Sequence, residues 1–171
     1  MAPEPDSPVA RARAIALRVL AARARTEAQV RARLSRAGLE SAADEVVAWL
    51  LGLGYLDDAA YARARARSLV APGRLGPRLA ERRLAAEGVS PELAREAVAS
   101  ALAEAGGGAG GSAAEVALCR ALAARRAPGE DLGALDERAR SRLARFLLGR
   151  GFAGPVVASV LGIFADADRE S

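Results

Sequence analysis

The sequence predicts an all-α protein, an elongated tandem array of three three-helix repeats with about nine helices in all. Three observations carry that expectation. Capping residues and glycines fall at the ends of runs whose apolar residues keep helical spacing. The pattern of those signals recurs at about 50 to 60 residues. Aromatic residues make up only 4% of the 171-residue chain and alanine is abundant, so a core must come from Leu, Val and Ala on closely approaching helices.

The first repeat is expected over residues 8–56. Its first helix runs from about Pro8 to Arg25, with Val9, Ala12, Ile15, Ala16 and Val19 on one face. Thr26 to Gln29 reads as a capping box. The second helix turns Val30, Leu34 and Ala37 inward and stops at Gly38, a residue suited to left-handed backbone after a helix end. Ser41 is expected to cap the third, where Val46, Val47, Leu50 and Leu51 form the buried stripe beside Trp49 and where Gly52 and Gly54 end the run.

The scheme restarts in a second repeat over residues 57–105. Asp57 or Asp58 can accept the orphan amide hydrogens of the helix carrying Tyr61 and Ala62. Pro72-Gly73 breaks that helix, Gly76-Pro77 opens the next, and Ser90-Pro91-Glu92 opens the last. Leu84 precedes Gly88 by four residues as Leu34 precedes Gly38. Gly106 to Gly111, residues 106–111, reads as a flexible linker, because such a run loses too much backbone entropy to join a helix. A third repeat is expected over residues 112–165. Ser112 to Glu115 forms another capping box, Pro128-Gly129 ends that helix, and the next carries Ala139, Leu143, Phe146 and Leu147 on one face. Leu147 and Gly151-Phe152 repeat the leucine-to-glycine spacing, and Val156, Val157, Val160 and Leu161 mark a last helix before a polar tail.

All 25 basic residues are arginine, and the net charge is +4. A GC-rich genome explains much of the number but not the clustering. Seven arginines stand between Arg63 and Arg83 against Glu81 alone, and five stand between Arg138 and Arg150 with no acid. Local fields of that kind attract nucleic acid or an acidic protein face. The candidate binding residues are Arg63 and Arg67, one turn apart, then Arg74, Arg78 and Arg82, and in the last repeat Arg138, Arg142 and Arg145, placed on the wheel opposite Leu143 and Phe146. Tyr55 and Trp49 are expected to be packing residues rather than platforms for bases, because each adjoins a buried stripe.

Catalytic chemistry finds little to use. The chain has no histidine and no lysine, so the usual general base, phosphate-binding lysine and Schiff-base lysine are missing. Cys119, the only cysteine, lies among Ala, Val and Leu and reads as a small core residue. Adjacent Asp57 and Asp58 point in different directions on a helix and fit capping better than a metal. No catalytic residue, cofactor or metal is expected. No apolar run approaches the roughly 20 residues that span a bilayer. Glu4 and Asp6 ahead of the first arginines argue against a transit peptide, so a cytoplasmic protein is expected.

Gly54-Tyr55-Leu56-Asp57-Asp58, then Tyr61-Ala62, then Gly73-Arg74-Leu75-Gly76-Pro77-Arg78-Leu79, then Leu84 and Gly88-Val89 together resemble the RecX family. The resemblance spans roughly Ala12 to Ile163, is strongest in the middle repeat and is weakest after the glycine run. It implies a non-enzymatic regulator of the RecA recombinase. Such a protein binds the RecA filament on single-stranded DNA along its helical groove and limits its ATPase, strand exchange and extension, with consequences for DNA repair, recombination and the SOS response. A monomer that contacts the filament, and single-stranded DNA through it or directly, is implied. The alternative is a helical protein that acts on DNA itself. The chain departs from the family pattern in carrying Tyr61 where many relatives have Phe, in its expanded glycine run, and in its arginines in place of lysines.

Overall fold

Helix ends organise this chain. Ser7, Thr26, Asp57, Ser90 and Asp136 each sit in extended backbone, and their side-chain oxygens accept from the amides of Ala10, Gln29, Ala60, Leu93 and Ala139 at 2.7–3.3 Å. Each such bond settles one of the orphan donors of a first helical turn. The computed structural model describes residues 4, 7–71, 74–107 and 110–163. Among them the helices are α1 (Pro8–Ala22), α2 (Glu27–Ser35), α3 (Ala43–Gly52), α4 (Asp58–Val70), α5 (Pro77–Ala86), α6 (Pro91–Ala105), α7 (Gly111–Arg126), α8 (Glu137–Gly149) and α9 (Gly154–Val160), with no strand. The expected all-α array of three-helix units is what the chain forms. Pro72-Gly73, Gly108-Ala109 of the glycine run and the polar tail lie outside the described residues.

Several local expectations are corrected. α1 stops at Ala22, where Arg23 swings to extended backbone at φ −170°, rather than at Arg25. Ser41 caps nothing: a 3-10 turn over Glu40–Ala42 runs straight into α3, so the preceding turn supplies the carbonyls. Ser112 lies inside α7, whose cap is Gly110. Glu115 turns elsewhere, its carboxylate accepting from the amide of Ala153 at the start of α9 at 2.9 Å. Ala37 is exposed and Leu51 is 42% exposed, because α3 packs only on α1, α2 and the 3-10 turn and these cover a stripe no wider than Val46, Val47 and Leu50.

The leucine-to-glycine spacing has a physical basis. Gly38, Gly54, Gly88 and Gly151 all take left-handed backbone, with φ between +69° and +93°. The amide of the following residue, Leu39, Tyr55, Val89 or Phe152, donates to the carbonyl of Leu34, Leu50, Leu84 or Leu147 at 2.9–3.3 Å. This is the Schellman closure, in which the residue after the glycine folds back over the last turn. At the ends of α2, α5 and α8 that residue is buried, as Leu39, Val89 and Phe152 show. These three are the second helices of their units.

Two cores result. One joins α1, α2 and α3 around Ala12, Ala16, Val30, Leu34, Val46 and Leu50, closed by Leu56. The other runs without a break from α4 to α9, through Ala66, Leu84, Val98, Leu118, Leu147, Phe152 and Leu161. The glycine run does not part it: α6 packs on α7, and a Cβ at Gly106 would lie 2.6 Å from the Ala114 Cβ.

Candidate functional site

Consecutive units meet through their second helices in one repeated way. The turn after α5 lies on the start of α2, where a Cβ on Gly88 would lie 2.3 Å from that of Ala28. The turn after α8 lies on the start of α5, where a Cβ on Gly151 would lie 2.4 Å from the Leu79 amide nitrogen. Hydrogen bonds follow the same plan. The Thr26 hydroxyl, at the cap of α2, donates to the Glu87 carbonyl at 2.7 Å. The Gly76 amide, at the cap of α5, donates to the Arg150 carbonyl at 2.8 Å, and the Arg78 amide to the Gly151 carbonyl at 3.2 Å. α2, α5 and α8 thereby follow one another along the array.

The Gly54 to Asp58 motif is a joint in this construction. Gly54 takes φ +70°, Leu56 turns into the first core at 3% exposure, and Asp57 caps its own helix α4. Asp58 reaches back to a different helix, accepting from the Glu27 amide at the start of α2 at 2.9 Å. Tyr61 donates its hydroxyl to Glu87 at 2.8 Å, and Arg65 grips the same carboxylate with three bonds of 2.7–3.0 Å. Burial pushes the Glu87 carboxyl up, but the hydrogen bonds from Arg65 and Tyr61 outweigh it and hold the group below its ordinary value. Burial and the bond to Glu87 push the Tyr61 phenol up. Tyr55, expected to pack, is 58% exposed, because the Schellman turn after α3 has no following element beneath it. It borders an open groove of about 460 Å3 with Ala60, Tyr61 and Ala64. Trp49 is half-buried, with the Arg13 guanidinium 4.6 Å from its ring.

The structure divides the candidate arginines, all of them exposed, into two groups. Arg63 and Arg67 lie on α4, a first helix. Arg67 donates to the Arg63 carbonyl at 3.4 Å and lies 3.8 Å from Glu104, while Arg63 borders a small cleft with Glu96. Both therefore face acids of α6. Arg74, Arg78 and Arg82 stand at and along α5, and Arg138, Arg142 and Arg145 along α8. Arg142 is not opposite Leu143 and Phe146 but lines a cleft of about 280 Å3 with them. Arg126 and Arg150 place their guanidinium groups 5.6 Å and 5.1 Å from the Phe146 ring, and Arg150 donates to the Arg74 carbonyl at 3.3 Å.

Arg33 on α2, Arg36 just after it and Arg83 on α5 are exposed as well, so each second helix carries exposed arginines. Sequence reasoning passed over them, although Arg33 precedes Leu34 as Arg83 precedes Leu84, a register the repeat itself provides. Arg126 and Arg150 carried no such signal, since their meeting on Phe146 joins α7 to the end of α8. Among the described residues no grouping of three His, Cys, Asp or Glu could hold a metal, and no helix is long and apolar enough to cross a membrane.

A tandem array of three-helix units joined end to end defines a protein of the helical-repeat class. The sequence matches the descriptions "RecX, first three-helix domain" over residues 12–50 and "RecX, second three-helix domain" over residues 57–98. It is 35% identical to the regulatory protein RecX of Syntrophotalea carbinolica over 144 residues, which cover 83% of this chain and 88% of that one. It is 40% identical over 95 residues to the regulatory protein RecX of Thermus thermophilus, covering 53% of this chain and 63% of the other. The crystal structure of RecX from Lactobacillus salivarius shares the fold with TM-score 0.72 at 19% identity, over 91% of this chain and 95% of that one. A second crystal structure, of a regulatory protein RecX, gives TM-score 0.69 at 21% identity, over 90% and 72%. The chain belongs to the RecX family.

Proposed function

We propose that this chain regulates the RecA recombinase as a non-enzymatic, cytoplasmic monomer. It binds the RecA filament on single-stranded DNA and limits ATP hydrolysis, strand exchange and extension, and so acts in DNA repair, recombination and the SOS response. The observation that carries the reading is that α2, α5 and α8, the second helices of an array whose relatives are named regulatory proteins, all carry exposed arginines. A helical repeat offers a partner filament a series of similar contacts at regular intervals. Arginine forks suit carboxylates and phosphates alike. Arg74, Arg78, Arg82, Arg138, Arg142 and Arg145 are the contacts we favour. Arg63 and Arg67, turned toward Glu96 and Glu104, contribute less.

The test is the ATPase rate of the cognate RecA on single-stranded DNA, titrated with this protein at two salt concentrations. Inhibition at amounts below one per RecA subunit is the expected result, and no inhibition refutes the reading. The second reading, direct action on DNA, is favoured by the same exposed arginines and requires binding of DNA by the chain alone with a steep salt dependence.

A further inference from the structure

We infer that the groove between α2 and α5 docks an acidic segment of the protein partner, a site distinct from the α5 and α8 arginines and one that deepens, and rests on, the filament-binding reading above. The groove encloses about 420 Å3 where the turn after α5 crosses the start of α2. Its floor is alanine: Ala28 and Ala32 from α2, Ala85 and Ala86 from the end of α5, all exposed. Floors this small let a partner's backbone come close. Its rim is cationic, built by Arg25, Arg33 and Arg36.

Arg33 and Arg36 are exposed, and the groove offers them no free acid. Glu87, the carboxylate lining the groove, is already held by Arg65 and Tyr61. Neighbouring Arg31 is occupied by Glu27 and Asp44, whereas Arg33 and Arg36 make no ion pair among the described residues. The Arg25 Nε is buried without a hydrogen-bond acceptor among those residues.

Charge alone would fit nucleic acid equally well, but the lining does not. Sequence-tolerant binding of single strands relies on rings on which bases stack, and no aromatic residue lines this groove. Alanine surface flanked by arginine forks matches a segment with small or aliphatic side chains on one side and Asp or Glu on the other.

The deciding experiment uses the full chain and two fluorescein-labelled probes of equal charge, a peptide of alternating Glu and Leu and a single-stranded oligonucleotide. Fluorescence anisotropy is read for wild type, R33E/R36E, R33A/R36A and the charge-matched control R11E/R18E on the outer face of α1. Peptide affinity is expected to fall at least about tenfold in R33E/R36E, and measurably in R33A/R36A, while R11E/R18E matches wild type. Equal losses in R33E/R36E and R11E/R18E, or loss of oligonucleotide binding without loss of peptide binding, overturn the proposal. RecA ATPase inhibition by the same proteins separates the two readings. If wild type fails to inhibit, the filament reading falls while the peptide result still decides the groove. If wild type and R33E/R36E inhibit equally, the groove is not where the filament's protein docks.

Discussion

The two joints of this array use the same contact between second helices but hold it with different chemistry. Between the first and second units the contact is made by Thr26, Asp58, Tyr61, Arg65 and Glu87, and the apolar cores on either side are separate. Between the second and third, backbone meets backbone at Gly76, Leu79 and Gly151, and a single core runs through. Interfaces made of hydrogen bonds and partly exposed ion pairs contribute little net stability, whereas continuous apolar burial contributes about 25 cal/mol per Å2. The third unit is thus welded to the second, and the first is hinged to it.

The weld breaks hardest. Gly151→Ala puts a Cβ 2.4 Å from the Leu79 backbone nitrogen at a φ of +93° that alanine rarely adopts. We expect a loss of about 3 kcal/mol or more in denaturant unfolding, since neither strand of the contact can give way. Cys119 supplies the local readout. Burial and the nearby Glu115 push its thiol up to about 12, so it should resist thiol reagents at neutral pH in wild type and react in the variant.

The equivalent change at the hinge, Gly88→Ala, meets the Ala28 side chain rather than backbone, at a φ of +90°. Its cost should be about 2 kcal/mol, and adding Ala28→Gly should recover part of it in a double-mutant cycle. Full additivity would show that the two residues do not touch.

Glu87→Gln sharpens the comparison by removing charge without removing volume. About 1 kcal/mol should be lost, seen as faster hydrogen exchange at the joint between α2 and α4 with α7 to α9 unchanged. The sign of the pH effect follows from the carboxyl being held below its ordinary 4.5. Glu87 contributes stability above that value and loses it as the pH falls through the lower folded value, so acid should loosen the hinge in wild type but not in Glu87→Gln. Smallest of all, Tyr55→Ala should shift stability by less than about 0.5 kcal/mol, because the ring is 58% exposed. A larger loss would mean that Tyr55 packs after all.

Helix starts were legible where the cap is local. Thr26, Ser90 and, of the pair Asp57 and Asp58, the first bond to amides three residues ahead, whereas the caps Ser7 and Asp136 were passed over. Ser41 and Ser112 carry the same side-chain chemistry yet cap nothing, because a 3-10 turn and an earlier helix start had already supplied those amides. Of the candidate site, the arginines of α5 and α8 were visible as charge clusters, but the acids facing Arg63 and Arg67 sit roughly 30 or more residues away in α6 and could not be seen from α4.

By itself the sequence determined the helices and their Schellman turns, since each depends on residues within about five positions of one another, and the repeat, since it is the recurrence of those local signals. Only the tertiary structure decided that the glycine run does not divide the core, that Asp58 caps a helix other than its own, that Tyr55 faces outward and that the second helices meet one on the next. Those outcomes depend on which turn finds another unit beneath it. That is a matter of packing between segments distant in the chain, which no local pattern of residues records.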